Sequence, residues 1–155
     1  IVRQCQDLPG QQLFQYVDEA GRLRRVESSD VNHYLQRATG HTFTAKDFRT
    51  WRATVFVLER LSQAAVEPRT IAEARRQVAA AYREAAEALG NTVTVCKKYY
   101  VHPEIVALFE QGKLKAACGR AAARPRAGLE LYERILLKIL PRLRSSGSRL
   151  VKKPR

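Results

Sequence analysis

The chain has 155 residues and a mass of 17.6 kDa, with 28 Lys and Arg against 15 Asp and Glu and a formal net charge of +13. That is one domain's worth of chain, at most two small ones, and 45% hydrophobic with 28% charged residues is globular composition, which excludes wholesale disorder and a disulfide-stapled mini-protein. No apolar run approaches the ~18 residues of a membrane span, and Ile1-Val2-Arg3-Gln4-Cys5-Gln6-Asp7 contains no signal-peptide hydrophobic region.

Residues 7–27 read as turns and extended chain: Leu8-Pro9-Gly10 is a turn signal, Leu13-Phe14-Gln15-Tyr16-Val17 is β-friendly, and Asp18-Glu19-Ala20-Gly21 closes it, so a small hairpin is expected. Ser28 and Ser29 are N-cap candidates for a helix through Asp30-Val31-Asn32-His33-Tyr34-Leu35-Gln36-Arg37, which Gly40 can end. Thr44, with Asp47 three residues on, reads as a short-armed capping box. Phe48, Trp51, Val55, Leu58 and Leu61 then form one apolar stripe at helical spacing. After Pro68 the same period runs through Ile71, Ala74, Val78, Ala81, Tyr82, Ala85 and Leu89 up to Gly90. Asn91 or Thr92 caps a stretch from Thr92 to Tyr100, which Pro103 must end, because the residue before a proline is biased out of the α region. A short helix from Pro103 to Gln111 precedes Gly112. Gly119 to Arg126 reads as a linker, and Leu129, Tyr132, Leu136, Ile139, Leu140 and Leu143 mark a last helix, kinked or frayed at Pro141. From Ser145 to Arg155 the composition is that of a disordered basic tail.

The surplus charge is C-terminal. Residues 1–112 hold 15 basic and 13 acidic residues, net +2, whereas residues 113–155 hold 13 and 2, net +11. Such a block attracts polyanions through counterion release, nucleic acid being the commonest partner; a solvated basic tail with no dedicated role is the plainer alternative. Three cysteines, Cys5, Cys96 and Cys118, without CxxC or Cys/His ligand spacing, point to reduced thiols in a reducing compartment. The chain has no Met, hence no initiator, and is expected to be a processed or recombinant piece of something longer.

A P-loop, a GxGxxG turn and a GxSxG elbow are all absent. His33, His41 and His102 lie far apart without paired carboxylates at ligand spacing, so neither a nucleotide nor a metal cofactor is expected. Two clusters stand out. Cys96-Lys97-Lys98-Tyr99-Tyr100-Val101-His102-Pro103 sets two lysines beside two tyrosines near a helix end, an arrangement that places a phenol where a phosphate binds, as nucleophilic attack on a phosphodiester requires. The plainer reading is one core tyrosine beside an exposed one. In Thr42-Phe43-Thr44-Ala45-Lys46-Asp47-Phe48-Arg49-Thr50-Trp51, Arg49 lies at the margin of the apolar stripe, where a held guanidinium can present its fork to a phosphate. A buried ion pair with Asp47, or a stem covering the core, is the other reading.

Leu8-Pro9-Gly10-Gln11-Gln12-Leu13-Phe14-Gln15-Tyr16, Ser29-Asp30-Val31-Asn32-His33-Tyr34-Leu35, Phe43 to Trp51 and Val95 to Pro103, in this order and spacing, resemble the C-terminal catalytic part of bacterial type IB DNA topoisomerases, relatives of the poxvirus enzyme. The resemblance covers about residues 1–115, and the Ala45 to Trp51 block is its most specific part. It implies that Tyr100 is the nucleophile forming a 3′-phosphotyrosyl link, that Arg49 is the second of two transition-state arginines, and that Asn91 occupies the position that is histidine in the poxvirus and eukaryotic enzymes and asparagine in at least some bacterial relatives. An asparagine donates a neutral hydrogen bond to a phosphate oxygen and carries no charge, so its share of the stabilisation should be smaller. The family's other arginine and its general-acid lysine lie upstream of the Leu8-Pro9-Gly10 block, so the chain is expected to be a fragment lacking both and the DNA-clamping domain, and inactive or weakly active alone. Attack by a phenol of pKa ~10 needs the phosphorane charge neutralised and the leaving 5′-oxygen protonated, and Arg49, a poor acid, cannot replace that lysine.

The spacing of Asn91 and Tyr100 poses a geometric problem. On one regular helix their nine-residue separation spans ~13.5 Å and places them on opposite sides. Both serve one phosphate only if the helix is short or broken, or if the phosphate lies across its end.

The expected class is thus mainly α, a catalytic domain of the type IB topoisomerase and tyrosine recombinase kind with a small β-hairpin near its N-terminus. Residues 1–118 are expected to form the catalytic-domain fragment, 119–126 a linker, 127–144 a C-terminal helix and 145–155 the basic tail. The expected function is cleavage and rejoining of one DNA strand, relaxing supercoils without ATP, metal or other cofactor. The expected partner is double-stranded DNA, with no membrane and no nucleotide, and the protein a monomer in the cytoplasm at the nucleoid. Lys97, Lys98, Tyr99, Lys46 and His102 are candidate DNA contacts. A basic DNA-binding module without chemistry is the alternative, and a tyrosine recombinase a second, although its paired arginine and histidine boxes are not found.

Overall fold

Asp18 organises the N-terminal hairpin. Its carboxylate accepts the amides of Ala20 at 3.1 Å and Arg22 at 2.9 Å and pairs with the Nε groups of Arg22 and Arg24, both at 3.1 Å. The amide of Arg22 is the first of the partners that hold this carboxyl below the usual aspartate range. Strands β1 (Gln15–Val17) and β2 (Leu23–Arg25) pair antiparallel with Tyr16 opposite Arg24. The hairpin expected between residues 7 and 27 is present.

A computed structural model describes residues 14–64, 68–121 and 128–147. By its contacts the chain divides into two units, 1–48 and 49–155, with the boundary inside one helix. The first unit holds the hairpin, α1 (Ser28–Thr39) and the first turn of α2 (Ala45–Ser62). Neither Ser28 nor Ser29 caps α1: Glu27 does, in a capping box with Asp30, whose carboxylate accepts the Glu27 amide at 2.8 Å. Asp30 reaches back to the amide three residues before it, which is that of Glu27, so the box closes there and both serines fall inside the first turn. Gly40, at φ 67°, ends α1 as expected. Asp47 reaches back to the Thr44 amide at 2.8 Å and takes the Thr44 hydroxyl at 2.6 Å, so that hydroxyl donates to the carboxylate. The Asn32 side chain accepts the Ala45 amide at 3.0 Å and ties the start of α2 to α1. None of the described residues 14–48 is buried, Phe48 of the expected stripe included.

The second unit holds the core. It comprises α2 from Arg49, α3 (Ile71–Ala88), a single turn α4 (Val93–Val95) running into a π-helical turn over Cys96–Tyr100, α5 (Pro103–Glu110), α6 (Leu114–Ala121) and α7 (Leu131–Gly147). Val55, Leu58 and Leu61 of α2, Ala74, Val78, Ala81, Tyr82 and Ala85 of α3, and Leu136 and Ile139 of α7 are buried together, the faces that helical spacing marks. Ile71, in the first turn of α3, is exposed instead. Helix α3 packs on α4, the π turn and α5, and α6 on α5 and α7.

Two boundaries differ from the sequence expectation. Helix α6 continues through Gly119 to Ala121, residues that read as the start of a linker, because Leu114 and Ala117 are buried and draw the segment into a helix. Residues 122–126 of that linker lie outside the described residues. Helix α7 runs past Pro141 to Gly147, and so into the expected tail. Pro141 removes one intrahelical donor, but both it and Leu137, whose carbonyl would have been the acceptor, are exposed, so water can take the bond. The rest of the tail, 148–155, lies outside the described residues, as does Cys5; Cys96 and Cys118 are free thiols. No helix among the described residues is long and apolar enough to cross a membrane.

Candidate active site

Three segments of the second unit carry Arg49, Asn91 and Tyr100. The first is α2, where Arg49 is half-buried. One of its amino groups donates to the Leu89 carbonyl at 2.7 Å, its Cζ stands 5.3 Å from the centre of the Tyr100 ring, and its Nε–H is buried with no protein acceptor. The expected alternative of an ion pair with Asp47 is not taken up: the Asp47 carboxylate is occupied by Thr44, and those bonds, the hydroxyl's first, lower its pKa.

The second segment is the end of α3. Gly90 adopts φ 62°, a left-handed conformation that a side chain resists, and its turn lets the Asn91 amide return to the Ala86 carbonyl at 2.8 Å, the six-to-one bond of a Schellman ending. This ending fixes the Asn91 backbone two residues after Leu89, the residue Arg49 grips. The Asn91 side chain is half-buried, and its Nδ2 group is buried without a protein acceptor. Buried donors without partners are rare in folded proteins and each calls for a physical explanation. Asn91 does not cap the next helix; Thr92 does, accepting the Val95 amide at 3.3 Å.

The third segment carries Tyr100. The chain from Asn91 to Tyr100 is not one regular helix: after the single turn of α4 it widens into the π turn, closed by the Val101 amide donating to the Cys96 carbonyl at 3.2 Å. Short, broken helix is one of the conditions under which Asn91 and Tyr100 can serve one phosphate, and π turns recur at functional sites. Buried Cys96 and Val101 pin the two ends of the turn in the core, and burial pushes the Cys96 thiol up. Between them Lys97, Lys98 and Tyr99 are exposed and Tyr100 is half-buried. The Lys98 ammonium lies 5.0 Å from the centre of the Tyr99 ring. His102 caps α5, its Nδ1 accepting the Glu104 amide at 3.4 Å. Lys46, on the first turn of α2, belongs to the other unit and is exposed.

Two contributors escaped the sequence reading. Thr54, 2% exposed, is the buried polar side chain among the described residues. Its hydroxyl donates to the Tyr100 carbonyl at 3.2 Å and accepts the His102 amide at 3.1 Å. A signal existed: Thr54 falls at helical spacing between Trp51 and Leu58, a polar residue on the apolar face. The other is Glu133 of α7, which accepts the Trp51 indole N–H at 2.8 Å across 82 residues. That bond first, and the Glu130 amide second, hold the Glu133 carboxyl below the usual glutamate range.

Chemically, the arrangement offers a half-buried phenol beside a guanidinium and, on the segment that guanidinium grips, an amide donor. Such a group suits a tetrahedral anion with an ester oxygen exchanged at the phenol. Residues 1–121 match the family described as eukaryotic DNA topoisomerase I, catalytic core. A protein of Acanthamoeba polyphaga mimivirus named DNA topoisomerase 1B is 32% identical over 115 residues, in a match that covers 70% of this chain and 34% of the relative. The chain thus spans about a third of that relative's length.

Proposed function

The chain belongs to the family of the eukaryotic DNA topoisomerase I catalytic core, and on that premise we propose that Tyr100, Arg49 and Asn91 cleave and rejoin one strand of double-stranded DNA. Tyr100 Oη attacks a backbone phosphorus, its proton leaves, the bond from phosphorus to the 5′-oxygen breaks, and a 3′-phosphotyrosyl link and a 5′-hydroxyl result. The observation that carries this reading is the Arg49 guanidinium, held 5.3 Å from the Tyr100 ring with its buried Nε–H uncommitted. Held by Leu89, it does not need to reorganise when negative charge builds on the phosphorane. Asn91 Nδ2 supplies a second, neutral donor. The 5′-hydroxyl reverses the reaction by attacking the phosphotyrosine, so the bond energy is kept in the protein–DNA link and resealing consumes neither ATP nor metal. Between cleavage and resealing the duplex swivels about the intact strand.

In this reading the general-acid lysine and the first arginine come from protein outside these 155 residues, and the 155-residue chain alone binds DNA and relaxes it weakly or not at all. Kinship with the bacterial relatives of the poxvirus enzyme rests on the residue resemblance, in which asparagine at position 91 departs from the poxvirus histidine and agrees with some bacterial relatives. The test is relaxation of supercoiled plasmid by the whole protein, with excess chelator and no ATP. Relaxation by the wild type and none by Tyr100→Phe supports the proposal; equal DNA binding with no relaxation by the wild type leaves a DNA-binding module.

A further inference from the structure

We infer that Thr54 is a positioning residue for Tyr100: its buried hydroxyl holds the two peptide groups that flank Val101 and so sets how the Tyr100 phenol meets the Arg49 guanidinium. The backbone shows why a hydroxyl is needed there. The π turn ends at Tyr100, Val101 is extended at φ −102° and ψ 129°, and His102 already caps the next helix. The Tyr100 carbonyl and the His102 amide therefore lie between two helices and are paired by neither. A hydroxyl is both donor and acceptor, and Thr54 uses both capacities, donating to the carbonyl at 3.2 Å and accepting the amide at 3.1 Å. Serving either peptide group would satisfy the threonine; serving both clamps the backbone on each side of Val101.

Thr54 follows Arg49 on the same helix. One rigid element thus presents a guanidinium to the face of the Tyr100 ring and a hydroxyl to the Tyr100 backbone, two fixed points that set the phenol's place relative to the charge. Catalysis of this kind is sensitive to placement, a shift of about 1 Å costing up to ~10²-fold in rate. A threonine at a core position, where valine has the same shape, is otherwise a burial cost with no packing return.

The inference rests on the reading of Tyr100 as nucleophile, and the experiment separates the two. In the whole protein, Thr54→Val, Thr54→Ser and Tyr100→Phe are compared for single-turnover covalent adduct formation on a nicked duplex oligonucleotide and for equilibrium DNA affinity. Thr54→Val is expected to slow adduct formation about 10- to 100-fold at unchanged affinity, and Thr54→Ser to restore most of the rate. A wild-type rate in folded Thr54→Val, or no rescue by serine, overturns the inference. If Thr54→Val does not fold, Thr54→Cys, with a weakly hydrogen-bonding thiol of similar size, must show an intermediate rate; a wild-type rate overturns the inference. Adducts that persist in Tyr100→Phe would instead remove the nucleophile reading itself.

Discussion

The Arg49 guanidinium lies 5.3 Å from the centre of the Tyr100 ring while one of its amino groups holds the Leu89 carbonyl at 2.7 Å. One side chain therefore ties together the helix that carries it, the end of α3 and the π turn. That geometry gives Arg49 a structural grip and, through its buried Nε–H, a donor left for an anion.

Removing the fork should be costly. Arg49→Ala is expected to lower the single-turnover cleavage rate by ~10²–10³, the loss typical of one preorganised charge-stabilising donor. Arg49→Lys keeps the charge but not the planar, multiply donating head, so it should recover only part of that rate. Equal rates for lysine and arginine would show that charge alone matters.

Asn91 should matter less than Arg49. A neutral hydrogen bond is worth about 0.5–1.5 kcal/mol net, so Asn91→Ala should slow cleavage by roughly tenfold or less. Asn91→Asp should be worse than alanine, because a carboxylate would face an anionic phosphate. The same single-turnover assay ranks the three.

Much of this was legible in the sequence, for identifiable reasons. The stripes of α2 and α3 and the turns at Gly40 and Gly90 follow from period and backbone conformation, which are local. The Arg49 and Tyr100 clusters were marked by residue types at odds with a plain amphipathic helix. What could not be read depends on partners distant in the chain. The bond from Arg49 to Leu89 spans 40 residues, and those from Thr54 to Tyr100 and His102 span 46 and 48. The π turn likewise leaves no periodic signature, since it changes the winding over five residues only. Helix α6 was missed because two buried residues, Leu114 and Ala117, are too few to show a period.

The bond from Trp51 to Glu133 joins α7 to the helix of Arg49, and Trp51 is the sole tryptophan. The folded-state pKa of Glu133 is depressed, so its stabilising contribution is full above the unfolded value, about 4.3, and is lost as pH falls through the folded value. Tryptophan fluorescence should therefore be flat from neutral pH down past the ordinary glutamate range and change only below it. Glu133→Gln should abolish that step. A midpoint at the ordinary glutamate value would contradict the bond.

Residues 145–155 carry four of the 28 basic residues and no acidic one. If they touch DNA, deleting them should flatten the plot of log affinity against log salt, by up to ~0.9 for each phosphate they neutralise. An unchanged slope would assign the tail no role in DNA binding.

The most direct test of the whole account is the identity of the residue joined to DNA. The whole protein is trapped on a nicked duplex, digested, and the DNA-linked peptide sequenced by mass spectrometry, with Tyr99→Phe and Tyr100→Phe in parallel. The account predicts a nucleotide on Tyr100, adducts retained in Tyr99→Phe and none in Tyr100→Phe. A nucleotide on Tyr99, or adducts surviving Tyr100→Phe, would contradict it.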